Sequence, residues 1–322
     1  MRSVRWLGLL ALYVGAQVVG LALALPFRSE GFTSTSNPQS PAAPLLIIVV
    51  IVVAPLFILL IARRQSGLGA LRQLILIGIA GALYITLFAT FSIIPPGLVL
   101  LPPYAAEITY SPALTLAGMV SAALYLELLV EPQWYIVDLV GFLAAGSLVA
   151  ILGISFSILP AFILLIALMV YDAISVYRTK HMVSLAEVVT DMKLPILMVM
   201  PDSAGYDYPS APTLAQQRAQ PVEERGALFM GLGDVVIPGA LIVSAYVWLP
   251  TSPIVLGVGA NVWASVGALV GSLIGYAVLM RLVLRGNPQA GLPFLNGGAI
   301  LGYALAYVLL FHSVTLGLTG AL

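Results

Sequence analysis

GALFMGLGDVVIPGA, residues 226–240, places one carboxylate, Asp234, inside a run that otherwise reads as membrane core. A charged side chain at the centre of a bilayer helix costs roughly 2.5–3.5 kcal/mol on insertion scales. Gly231 and Gly233 flank the acid and Pro238 follows it, so the run also carries residues that weaken a helix. A chain that accepts an acid in such a place has a use for it, and the rest of the sequence narrows that use.

The chain is 61% hydrophobic and 8% charged, with a mean hydropathy of +1.08. Soluble domains carry about 25% charged residues, so the composition is that of a polytopic membrane protein. The formal net charge is zero, which offers no basic surface for nucleic acid. There is no cysteine, so disulfides, cysteine metal sites and thiol nucleophiles are excluded. His181 and His312 stand far apart, and no metal or other cofactor is expected.

A membrane span needs about 20 mostly apolar residues. Nine such runs occur, at 6–26, 44–62, 73–94, 111–130, 134–153, 156–178, 227–248, 254–280 and 293–313. The expected fold is therefore all-α, with nine transmembrane helices. The first run has an alternative reading as a signal peptide, because Arg2 and Arg5 precede it and Ala22-Leu23-Ala24 resembles a cleavage site. With the N-terminus cytoplasmic, twelve of the thirteen Lys and Arg residues fall on the inside and only Arg28 lies outside. This agrees with the positive-inside rule and puts the C-terminus outside. No repeat is found. One membrane domain is expected: a six-span part over 1–180, a cytoplasmic loop over 181–225 and a three-span part over 226–322. Within the loop, residues 201–222 are rich in Pro, Ser, Ala and Gln and read as mobile, while 194–201 (LPILMVMP) reads as a strand or an interfacial segment.

Five acids lie in or near the spans. Glu107 reads as a solvated loop residue, and Glu127 and Asp138 sit near span ends, where a charge is cheaper. Asp172 stands six residues before Arg178, about 9 Å inside the inner end of span six at 1.5 Å per residue. Asp234 stands nine residues after Arg225, about 13 Å along a helix running the other way. The two aspartates thus arrive at comparable depth on successive spans. Two carboxylates in one low-dielectric site cannot both ionise comfortably and would share a proton at neutral pH. Such a pair suits acid–base hydrolysis by water, and it equally suits cation binding or proton relay.

The residues around the aspartates carry a resemblance. Tyr171-Asp172, Gly231-Leu232-Gly233-Asp234 and Pro293-Phe294-Leu295 resemble the three motifs of the GxGD intramembrane aspartyl proteases, the superfamily of presenilin and signal peptide peptidase. The third motif has Phe294 where the family usually has alanine. The resemblance extends to GLGDVVIPG (231–239), MVSLAEVV (182–189) and the Trp134, Asp138, Gly141 spacing that opens span five. The N-in orientation is similar to presenilin, the 181–225 loop is short, and the chain looks like a microbial presenilin homologue acting alone.

The resemblance implies that Asp172 and Asp234 are the catalytic pair of an intramembrane aspartic endopeptidase. Single-span membrane proteins or membrane peptides would be its substrates and the cell membrane its location. It further implies that Gly231, Leu232 and Gly233 support Asp234, and that Pro293, Phe294 and Leu295 keep an irregular backbone near the pair for an unwound substrate strand. The glycines also fit tight helix packing, and Tyr171 fits either a hydrogen bond near the pair or simple packing. A second copy of the chain is an admissible partner; nucleic acid is not. The competing reading is a cation or proton channel or transporter using the same two aspartates.

Overall fold

The computed structural model describes residues 2–62, 68–93, 112–221, 224–286 and 289–318. Glu107, Arg63 and Arg64 fall outside the described residues. The chain runs α1 (Arg2–Ser29), α2 (Leu45–Ala62), α3 (Leu68–Ile93), α4 (Pro112–Val130), α5 (Trp134–Ser155), α6 (Ile158–Tyr177) and α7 (His181–Asp191). It continues through β1 (Leu197–Pro201), α8 (Leu214–Ala219), β2 (Ala227–Gly231), α9 (Leu232–Trp248), β3 (Ile254–Val255), β4 (Val258–Gly259), α10 (Ala260–Val283) and α11 (Leu292–Phe311). Among the described residues, eight helices are long and apolar enough to cross a membrane, and α9 is a shorter apolar helix.

Two expected spans change at their starts. The run expected as a helix from 227 begins instead as β2, which pairs antiparallel with β1, Leu197 opposite Gly231 and Pro201 opposite Ala227. Apolar residues alone do not separate a buried strand from a helix. The Gly-Leu-Gly that follows lets the chain switch, with Gly231 in extended conformation as the N-cap of α9. Likewise, 254–259 folds as the small β3–β4 hairpin before α10 begins. The fold is mostly helical, with one two-stranded ribbon and one small hairpin added.

The loop between spans six and seven is more ordered than its composition suggests. Thr213 caps α8 in a reciprocal capping box with Gln216. Tyr208 is fully buried. LPILMVMP is resolved in favour of a strand.

Packing sorts the helices by what they face. α2 has the highest hydropathy of the candidate spans, yet buries only Pro55 within the protein. Lipid tails are as apolar as a protein core, so a helix of Leu, Ile and Val loses nothing by facing them. α9 is the opposite case: every residue from Val235 to Ala245 is buried, against α1, α5, α6, α10 and α11. α1 is part of this core, with Gln17 donating to the Val235 carbonyl at 2.8 Å and Tyr13 to Ser272 Oγ at 2.9 Å.

α10 and α11 approach most closely. Gly267, Gly271 and Gly275 recur on one face of α10, and a methyl at Gly271 or Gly275 would run into the carbonyl of Gly298 or Phe294. Backbone-to-backbone contact of this kind holds helices together where the hydrophobic effect cannot. Gly271→Val is therefore expected to destabilise the fold by about 1–3 kcal/mol through overpacking. A thermal melt in detergent measures this, with Gly297→Ala, which meets open space, as the near-neutral comparison.

Candidate active site

Asp172 lies in the last turns of α6, and its side chain is buried. Its Oδ2 accepts the Leu292 N–H at 3.0 Å. Leu292 is the first residue of α11, so this donor is one of the amides that a helix start leaves without an internal partner. The carboxylate thus sits on the positive end of α11.

Asp234 lies in the first turn of α9 and is half-buried. It is therefore also at a helix start, its own. Pro238, four residues on, has no N–H to give to the Asp234 carbonyl, which loosens this first turn. The extended Gly231 before it is joined to the ribbon through the next residue, whose N–H donates to the Ile196 carbonyl at 3.0 Å.

The two acids meet at Gly291-Leu292. Leu292 holds Asp172, and the position a Cβ would take at Gly291 lies 2.5–2.8 Å from the Asp234 carboxyl atoms. Any side chain there would push the Asp234 carboxyl away. Asp172 and Asp234 are close enough to interact electrostatically. Gly291 was not expected from sequence.

The other expected residues divide. Gly233 is exposed, with open space where a side chain would be, whereas a Cβ at Gly231 would make ordinary contact with Asp234. Leu232 is buried and packs against Gly141 of α5. Pro293 stands in the first turn of a regular helix, where no amide is needed, so the irregular backbone is the segment before it rather than the Pro-Phe-Leu itself. The Phe294 carbonyl abuts Gly275, and Leu295 is fully buried. Asn296, next in line, donates to the Leu165 carbonyl at 3.0 Å and ties α11 to α6.

Tyr171 directs its hydroxyl to His181 Nε2 at 2.9 Å, at the start of α7. Partial burial shifts the His181 imidazole downward by disfavouring its charged form. Tyr177 supplies a second tether: its hydroxyl donates to Gln289 Oε1 at 3.0 Å and accepts the Ala290 N–H at 3.3 Å. The loop leading into α11 is thus held to α6 at both Tyr177 and Asp172. Of the outlying acids, Glu127 is exposed and Asp138 is buried against β1. No group of acids and histidines that could hold a metal ion occurs among the described residues.

Fold and site together define a helical membrane protein with a paired-aspartate centre built at two helix starts. The chain belongs to the family described as signal-peptide peptidase, presenilin aspartyl protease, whose model matches residues 10–312. Two solved structures of a presenilin family intramembrane aspartate protease, in C222 and P2 space groups, are 30% and 32% identical to it. Each alignment covers 94% of this chain and 99% or 97% of the other, with TM-scores of 0.63 and 0.58. No curated protein matches. The chain is accordingly an intramembrane aspartic protease.

A side chain at Gly291 is expected to separate the acids. Gly291→Ala should lower proteolysis about a hundredfold, the usual order for a misplacement near 1 Å, with the thermal midpoint in detergent little changed. Rates measured on a single-span reporter check this.

Proposed function

We propose that this chain hydrolyses peptide bonds within the transmembrane segments of single-span membrane proteins, with Asp172 and Asp234 as the catalytic pair. The observation that carries the reading is the convergence of both carboxylates on Gly291-Leu292. Held together at low dielectric, the pair keeps one proton between them. The ionised acid takes a proton from water, and the resulting hydroxide attacks the scissile carbonyl carbon. The protonated acid donates to the carbonyl oxygen as it becomes negative. The tetrahedral diol then collapses, with a proton passing to the departing amide nitrogen. No covalent enzyme intermediate is formed.

A helical amide is hydrogen-bonded and shielded, so the substrate must unwind first. The β1–β2 ribbon offers it a partner. Asp202 donates to the Gly226 carbonyl and Leu232 to the Ile196 carbonyl, which sets the pairing phase. In that phase Met198–Met230 and Met200–Leu228 are the hydrogen-bonded pairs, and the backbone groups of Phe229 and Ala227 point away from β1. An unwound substrate adding to this edge as a third strand would pass beside Asp234, five residues beyond Phe229. The open space at Gly233 admits its backbone.

The eight long helices and α9 make nine spans in the cell membrane, with the N-terminus and the acid pair toward the cytoplasm and the C-terminus outside. The distribution of Lys and Arg supports this orientation, and water reaches the acids from the cytoplasmic side.

The test uses purified protein and a single-span reporter. Asp172→Asn and Asp234→Asn are each expected to abolish cleavage, and a transition-state analogue of aspartic proteases to block the wild type. Cleavage that survives either substitution would remove the pair from the chemistry. Ion flux without cleavage would replace the protease by a channel. A pair that needs one acid ionised and the other protonated also requires a bell-shaped dependence of kcat/KM on pH, measured on the same reporter.

A further inference from the structure

A further buried acid stands outside the catalytic pair. Asp138, on α5, is 5% exposed. It belongs to the Trp134, Asp138, Gly141 spacing, which the chemistry of the pair does not use. Residues 138 and 141 are three apart and share a face of α5, and that face meets the ribbon. The missing Cβ of Gly141 lies 3.5 Å from the Pro195 carbonyl oxygen and 3.4 Å from Leu232 Cδ2, so α5 comes close to both ends of the ribbon's joint with α9. One turn earlier, Asp138 Oδ1 accepts the Val199 N–H at 2.6 Å.

The direction of that hydrogen bond matters. Val199 is opposite Phe229 in a pair that does not exchange backbone hydrogen bonds, so its N–H points to the outer edge of β1. An unpaired edge amide needs a partner and would otherwise invite another strand. Asp138 fills that need from a helix. Its other oxygen is buried without a partner among the described residues, so the side chain forms no ion pair there and its use is this one acceptor. From Val199 the linkage runs through β2 and the Leu232–Ile196 hydrogen bond to Asp234, two residues further on.

We propose that Asp138 is a positioning residue for the proteolytic reaction: by anchoring the outer edge of β1 to α5 through the Val199 N–H, it sets the register of the ribbon and hence the placement of Asp234, and it leaves β2 as the edge open to substrate. The part concerning substrate rests on the strand-addition reading above; the placement of Asp234 does not. A strand that shifts by one residue turns every side chain to the other face, so loosening this anchor acts on both the rate and the position of the cut.

The experiment compares full-length wild type, Asp138→Ala, Asp138→Asn and Phe229→Pro on one single-span reporter. Active sites are counted by stoichiometric binding of a transition-state analogue, and product ends are read by mass spectrometry. Removing the acceptor is expected to lower kcat per counted site by about tenfold or more, with KM changed far less. New cuts should appear at neighbouring bonds. Asp138→Asn keeps a carbonyl acceptor and is expected to restore kcat to within about threefold, with a single cut. Wild-type kcat per counted site in Asp138→Ala would overturn the proposal, because a purely structural loss reduces the number of sites and not their rate. Equal damage in Asp138→Asn would also overturn it. If Asp138→Ala yields no folded protein, Val199→Pro removes the donor instead, at a position whose amide does not serve the ladder, and a wild-type rate there is equally fatal. Unaltered cleavage by Phe229→Pro would sink the strand-addition reading alone, with the rate comparison at Asp138 still standing.

Discussion

Two carboxylates inside a membrane domain need donors that the lipid cannot supply, and the structure finds them at helix starts. Asp172 takes the first amide of α11, and Asp234 occupies the first turn of α9. An internal helix amide is already committed to a carbonyl four residues back, so only the first turn has amides to spare. Much of the rest follows from bringing these two helix starts together. α11 must approach α6, which Asn296 and Tyr177 secure, and it must slide closely along α10, which the facing glycines permit. The loop between α10 and α11 must also present a residue without a side chain to Asp234, and Gly291 does so.

The ribbon solves a different problem. A strand-to-helix switch beside the acid pair is soft unless something outside the switch holds it. Here Leu232 is bonded back to Ile196, β1 is bonded to α5 through Asp138, and Arg5 of α1 closes the far end. Arg5 pairs with Asp202 at 2.7 Å and donates to the Arg225 carbonyl at 2.9 Å, gripping the chain just after β1 and just before β2. Two helices far apart in the chain, α1 and α5, thus converge on one short ribbon.

The helical spans, the acid pair and the family motifs were legible because each rests on residue type and local spacing. Twenty apolar residues can cross a bilayer in few ways, and an acid among them stands out by its cost. The strand at 227–231 was not legible, because Ala-Leu-Phe-Met-Gly is as acceptable in a helix as in a strand until LMVMP lies beside it. For the same reason, counting helical rise from Arg225 placed Asp234 well along a helix, although it stands in the first turn. Gly291 escaped notice as one of 30 glycines. Nothing local marks it; its partner is 57 positions away in the chain.

What the sequence determined by itself was a membrane-embedded helical protein with two aspartates in the motifs of a protease family. Hydropathy, charge asymmetry and short motifs are properties of contiguous residues, and they survive without any fold. What only the tertiary structure decided was which amides receive the carboxylates, which glycine makes room for Asp234 and which acid anchors the ribbon. Those are contacts between segments far apart in the chain. Asp138 and Val199 are 61 residues apart, Asp172 and Leu292 are 120, and no local pattern pairs them.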